Sequence, residues 1–236
     1  MTPEELRFLV AVSWCAIGFA AYYVLSINSG FAGRAGSISR RFDKQGNHVI
    51  LQRILGLVFL GVMSVLVISI LPEVMPTDYG LGFAFQKAPP WWSLLLLPAI
   101  LVIGFFSARM KGILKLYPQI RANSWTPAMV VLNGLSWIIF LVGYEFLFRG
   151  FLLQASLDIM ATAPAIALNC ALYAGAHFYK GPGETIGAIP AGILFCYLTV
   201  LTGNIWCAVI LHSVMAISIE CFSIRFHPKM EIIKAR

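Results

Sequence analysis

Apolar residues gather along this chain in seven long runs, and the short stretches between them hold most of the charge. The runs are Leu6–Ile27, Ile54–Leu71, Trp91–Ala108, Pro127–Leu153, Pro164–Tyr179, Thr185–Val200 and Gly203–Phe222. A helix of about 20 mostly apolar residues crosses a bilayer, with about 17 at the short end. The pattern therefore predicts an all-α, polytopic transmembrane helical bundle of about seven spans. The fourth run is over-long and the fifth and sixth are short, which predicts tilted, broken or incompletely spanning helices in the second half. Trp91, Trp92, Trp125 and Trp206 fall at predicted span ends, where indole rings favour the headgroup zone. The first run is longer than a signal-peptide core of about 7–15 residues and follows Glu4 and Glu5 instead of a basic cluster, so it is read as a retained span.

Composition strengthens this reading. Of 236 residues, 59% are hydrophobic and 11% charged, and the mean hydropathy is +0.83. A soluble domain carries about a quarter charged residues, so lipid must cover much of this surface. The length fits one membrane domain, divided into N-terminal helices with basic loops (1–125), core helices (126–222) and a basic tail (223–236). The 17 Lys and Arg against 10 Asp and Glu sit in short loops, which excludes a nucleic-acid partner.

Those basic residues also set an orientation. Arg34, Arg40, Arg41, Lys44 and Arg53 fall in the first loop, Arg109, Lys111, Lys115 and Arg121 in the third, Lys180 in the fifth, and Arg225, Lys229, Lys234 and Arg236 in the tail. With seven spans all of these share one side, leaving Arg7 and Lys87 opposite and Arg149 within a span. The positive-inside rule then puts the N-terminus outside and the C-terminus in the cytoplasm of a multi-pass protein, with a bacterial cytoplasmic membrane as the expected location. The Arg34–Arg53 stretch reads as a cytoplasmic loop in preference to an anionic-lipid site. Cys15, Cys170, Cys196, Cys207 and Cys221 lie separately in or beside apolar runs and read as small buried hydrophobes, without a disulfide framework.

An ionisable group in hydrocarbon is costly, so it faces a protein interior or wet cavity and finds a partner. Glu145 and Arg149, spaced i, i+4, share a helix face within ion-pair reach, as a structural bridge or as part of a site. His177 lies near the end of the fifth run and His212 well inside the last. Two histidines and a carboxylate on three helices can hold a metal, activate a water, relay protons or bind a transported ion, and spacing leaves these open. Glu220 reads as snorkelling to water and Asp158 as a solvated loop residue, while His48 and His227 carry no signal. Gly187 and Gly192 read as sites of close helix packing.

At these residues the sequence resembles the CPBP family of intramembrane proteases, the CAAX-protease or Abi family. Its motifs Glu-Glu-x-x-x-Arg, Phe-x-x-x-His and His-x-x-x-Asn/Asp correspond here to Tyr144-Glu145-x-x-x-Arg149, Tyr173-x-x-x-His177 and His212-x-x-x-Ala216. Phe148-Arg149-Gly150, Thr202-Gly203-Asn204-Ile205-Trp206 and Tyr79-Gly80-Leu81-Gly82 also resemble family elements. The resemblance implies an endopeptidase acting on a membrane-associated or lipidated peptide or membrane protein, with Glu145, His177 and His212 catalytic and Arg149, Tyr144 and Tyr173 supporting. It implies either no cofactor or a divalent metal such as zinc on His177, His212 and Glu145. Two departures stand out. Tyr144 replaces the first glutamate, and a phenol is a poor general base; Ala216 replaces the asparagine and has no donor or ligand atom. Glu145 then either takes over as base or serves as a strut in an inactive binding or immunity protein.

Overall fold

The computed structural model describes residues 1–27 and 38–233. Arg34, Lys234 and Arg236, counted above among the loop and tail charges, lie outside the described residues. Helices account for nearly all of the regular structure: α1 (Pro3–Ile27), α2 (Lys44–Ser69), α3 (Leu96–Ser107), α4 (Lys111–Leu116), α5 (Pro127–Leu157), α6 (Thr162–Gly175), α7 (Pro182–Thr202) and α8 (Trp206–Phe226). A 3₁₀ turn, Trp91–Leu95, leads into α3. Two-residue strands β1 (Ser124–Trp125) and β2 (Glu231–Ile232) pair in parallel. Among the described residues, α1, α2, α5, α7 and α8 are long and apolar enough to cross a membrane. The protein is thus an all-α, polytopic membrane protein.

The helices differ from the apolar runs where polar residues join them. α2 starts at Lys44, so Arg53 stands on a helix and not in the first loop. α6 stops at Gly175 and leaves His177 in the turn beyond it. α8 begins at Trp206 because Gly203, with φ +74°, ends α7 and turns the chain.

The chain divides into two compact units. The first comprises Met1–Tyr23, Gly56–Pro89 and Val142–Val209. Its core joins Ala11, Ile68, Tyr79, Phe146, Phe151 and Ile205, flanked by Trp14 and Val65. Two π-helical stretches, Leu57–Val62 and Phe146–Leu152, interrupt α2 and α5 in this unit. Beside them α2 and α5 pack with almost no intervening side chain: a Cβ on Gly61 would lie 2.9 Å from the Gly143 Cα. Gly192 is likewise a close-packing site, since its Cβ would meet Cys170 Sγ and Tyr173 at 3.2 Å, but Gly187 faces open space.

The second unit comprises Val24–Leu55, Pro90–Leu141 and Ile210–Arg236. Phe42, Ile50, Ile120, Trp125, Met129 and Ile224 form its core. Trp125 is fully buried there and donates its indole N–H to Ala122 O at 2.9 Å, so it is a core residue and not a headgroup anchor. Arg53 and Glu220 are buried in the same unit, against the expectation of a loop cation and a snorkelling acid. The polar side chains of Asn133, Ser136 and Gln119 supply what water would otherwise give them.

Candidate active site

The first unit gathers Tyr144, Glu145, Arg149, Tyr173 and His177, and all five side chains are buried. Glu145 is the last residue before the π-helical stretch and Arg149 lies in the middle of it. Their charged groups meet, with Arg149 Nη1 3.1 Å from Glu145 Oε2, and both side chains are wholly sealed from solvent. The guanidinium also lies 4.0 Å from the Tyr173 ring centroid and 5.4 Å from that of Phe195. Aromatic faces thus surround the cation and its carboxylate answers it, an arrangement that stabilises charge without water.

The π-helical stretch, a rare geometry that occurs mostly as short bulges within α-helices, is supported from outside. Asn169 on α6 gives its amide to Phe148 O, which also accepts the Leu153 N–H. Cys196 Sγ donates in turn to Asn169 Oδ1 at 3.2 Å. Motif matching passed over Asn169; the signal was an amide alone among the apolar residues of its run.

His177 sits just beyond the α6 C-terminus, and its Nδ1 is 2.9 Å from Tyr173 O. A carbonyl only accepts, so Nδ1 carries a proton and the neutral imidazole keeps its basic lone pair on Nε2. The same contact satisfies a carbonyl in the last turn of the helix. Tyr144 Oη lies 3.5 Å from Nδ1, and its ring is 4.9 Å from that of Phe148 and 5.7 Å from that of Tyr173. The phenol therefore fills an aromatic wall beside the histidine. His212 is half-buried on α8 in the second unit, four residues before the buried Ala216.

A divalent metal finds little here. Among the described residues, no group of three or more His, Cys, Asp and Glu could hold one. Glu145, a candidate ligand, already neutralises Arg149. Among the described residues, the side chains present do not fit a three-ligand site.

The elements around the site close on one another. Gly150 has no Cβ where one would lie 2.7 Å from Tyr79 O, so only glycine lets that loop approach. The loop then binds the α7–α8 turn: Ile205 N donates to Gly80 O at 3.2 Å, Trp206 Nε1 to Gly82 O at 3.0 Å and Gln86 N to Thr202 O at 2.9 Å. Three stretches quoted for the family resemblance are thus neighbours in space.

Fold and site together define a polytopic helical membrane protein with a buried Glu–Arg pair and a tautomer-fixed histidine beside it. The chain belongs to the Type II CAAX prenyl endopeptidase Rce1-like family, whose profile matches residues 90–218, more than half of its 236 residues. That match bears out the resemblance and takes in all three motifs together with α3 and α4, while Tyr79–Gly82 lies outside it. No curated protein and no solved structure matches the chain.

Proposed function

We propose that this protein is an intramembrane endopeptidase that hydrolyses a peptide bond of a membrane-associated or lipidated chain. The observation that carries the proposal is His177, a buried imidazole whose Nδ1 is committed to Tyr173 O, in the region matched by the family. Its Nε2 takes a proton from water as the oxygen attacks the scissile carbonyl, and returns it to the leaving amine. The family resemblance assigns the oxyanion to His212 on α8. Glu145 and Arg149 hold the helix that carries Tyr144 and are spared the proton transfer.

A cavity of about 420 Å³ in the first unit is lined by Cys15, Phe19, Tyr23, Phe148 and the sequence neighbours of this histidine, Ala176 and Phe178, among others. Its lining is almost wholly apolar, as a prenyl or other lipid chain on the substrate would require. In the membrane, α3 with its 3₁₀ turn and α6 serve as two short crossings beside the five long helices, giving seven. The basic loops support an external N-terminus and a cytoplasmic C-terminus in a bacterial cytoplasmic membrane.

The test is cleavage of a farnesylated peptide by the full-length protein in proteoliposomes. His177→Ala and His212→Ala are each expected to abolish it while the protein still accumulates. Unchanged cleavage in both variants would rule out the site.

A second reading has its own support. Tyr144 packs as part of an aromatic wall where the family's base stands, and Ala216 offers no polar atom. A non-catalytic protein that binds a membrane partner or confers immunity accounts for both. It predicts that His177→Ala leaves the biological function intact.

A further inference from the structure

Between Asp78 and Glu145 the sequence has no acidic residue, yet this stretch holds Arg109, Lys111, Lys115 and Arg121. In the second unit the folded chain adds more positive charge to them. Arg109 at the end of α3 places its guanidinium 4.1 Å from the Phe105 ring centroid and 4.9 Å from that of Phe226, at the end of α8. The α8 terminus carries Arg225, and Lys229 follows three residues after Phe226. β2 pairs the tail beyond with β1, which keeps tail and loop together.

Arg121 is consumed internally, since it donates to the carbonyls of Leu114, Lys115 and Tyr117 at the end of α4. Arg109, Lys111, Lys115, Arg225 and Lys229 are exposed and form no ion pair among the described residues. Glu231, the single acid of the described tail beyond α8, does not offset them. His227 lies among these charges, its imidazole held below its usual value by burial and by Arg121 and Lys229.

The cations stand at the ends of apolar helices, and their neighbours are greasy. Phe106 and Met110 are each 61% exposed and Leu116 is 42% exposed. Exposed apolar and basic residues interleaved at a helix end suit the boundary between headgroups and acyl chains. A nucleic acid or acidic peptide would have no use for the apolar half.

We propose that this face of the second unit binds the phosphate headgroup of an anionic phospholipid through Arg109, Lys111, Lys115 and Lys229. The sequence offered the Arg34–Arg53 stretch as a polybasic site and favoured a plain loop there, and Arg53 is buried in a network of its own. The loop before α5 and the tail carry exposed charge interleaved with the exposed apolar residues Phe106, Met110 and Leu116.

The test is native mass spectrometry of the full-length protein in detergent with equal amounts of dioleoyl-phosphatidylglycerol and dioleoyl-phosphatidylcholine. Phosphatidylglycerol is expected to be retained at least about tenfold better, and neutralising each lysine to weaken it about fivefold. Lys111→Gln, Lys115→Gln and Lys229→Gln combined should erase the preference, while the exposed pair Arg40→Gln and Arg41→Gln should leave it. Melting temperature checks the fold of the triple variant, and Lys115→Gln alone decides the matter if the triple variant melts early. Equal retention of the two lipids overturns the proposal. So does a preference that survives the lysine changes, one lost equally in the Arg40 and Arg41 control, or one abolished by inorganic phosphate at the lipid's concentration.

Discussion

Arg53 and Glu220 meet inside the second unit with Nη2 3.6 Å from Oε1, although sequence position alone puts both at the water's edge. Polar groups of Asn133, Ser136 and Gln119 converge on them. Arg53 Nη1 donates to Asn133 Oδ1 at 2.6 Å and Ser136 Oγ at 2.7 Å, and its guanidinium lies 4.3 Å from the Trp137 ring centroid. Glu220 accepts from Asn133 Nδ2 at 2.9 Å and Gln119 N at 3.1 Å. Removing one partner of a buried pair strands the other charge, at a cost of about 3–5 kcal/mol. Glu220→Ala is expected to lower the melting temperature in detergent far more than Glu220→Gln, which keeps acceptor and size. Equal losses would show that the carboxylate's charge, and not its acceptors or its size, holds the network.

The Glu145–Arg149 pair makes a different prediction, because its surroundings are aromatic. If the pair is a strut, its two single substitutions should not add. Glu145→Ala leaves a buried guanidinium against Tyr173 and Phe195, and Arg149→Ala leaves a buried carboxylate. Each should destabilise by about 3–5 kcal/mol, and the double variant by little more than either alone. Thermal unfolding of the four proteins in one detergent gives the coupling directly. Additive losses would contradict the strut.

Much of this was legible in the sequence. Length and hydropathy foretold the helices, and the i, i+4 spacing foretold the Glu145–Arg149 contact. What hydropathy could not show is that charged residues inside a helix are affordable when tertiary partners exist. It therefore ended α2 short of Arg53 and sent Glu220 to solvent. The π-helical stretches were equally hidden, because nothing in Phe146–Leu152 signals i→i+5 bonding until Asn169 arrives from another helix. The same limit applied to Trp125, whose position at a span end said nothing of Phe42 and Ile120 closing over it.

Close packing of α2 on α5 can be tested at its glycines. A methyl on Gly61 would lie 2.9 Å from Gly143 Cα, and one on Gly143 would lie 3.0 Å from Leu57 Cα. Backbone cannot yield as a side chain does, so Gly61→Ala and Gly143→Ala should each cost about 1–3 kcal/mol. Gly187→Ala is the control: it meets nothing within 4 Å on an exposed part of α7. That change should be neutral or stabilise by up to about 1 kcal/mol through helix propensity. Differential scanning fluorimetry on the three variants separates packing from propensity.

The site's chemistry turns on Tyr144. Its oxygen is 3.5 Å from His177 Nδ1, the nitrogen already hydrogen-bonded to Tyr173 O. A carboxylate at this position would strengthen the polarity already imposed on the imidazole and could itself take a proton from water. The phenol does neither at neutral pH. If lack of that carboxylate limits the reaction, Tyr144→Glu should raise the rate of farnesyl-peptide cleavage about 100-fold or more. Adding Ala216→Asn, which supplies an amide donor one turn beyond His212 on α8, should raise it further. The gain should vanish in Tyr144→Gln, which has similar size but no basic oxygen, and melting temperatures establish that each variant is folded. No gain in a folded Tyr144→Glu, Ala216→Asn protein would show that something other than these two side chains holds the site silent, and would favour the binding reading over the peptidase.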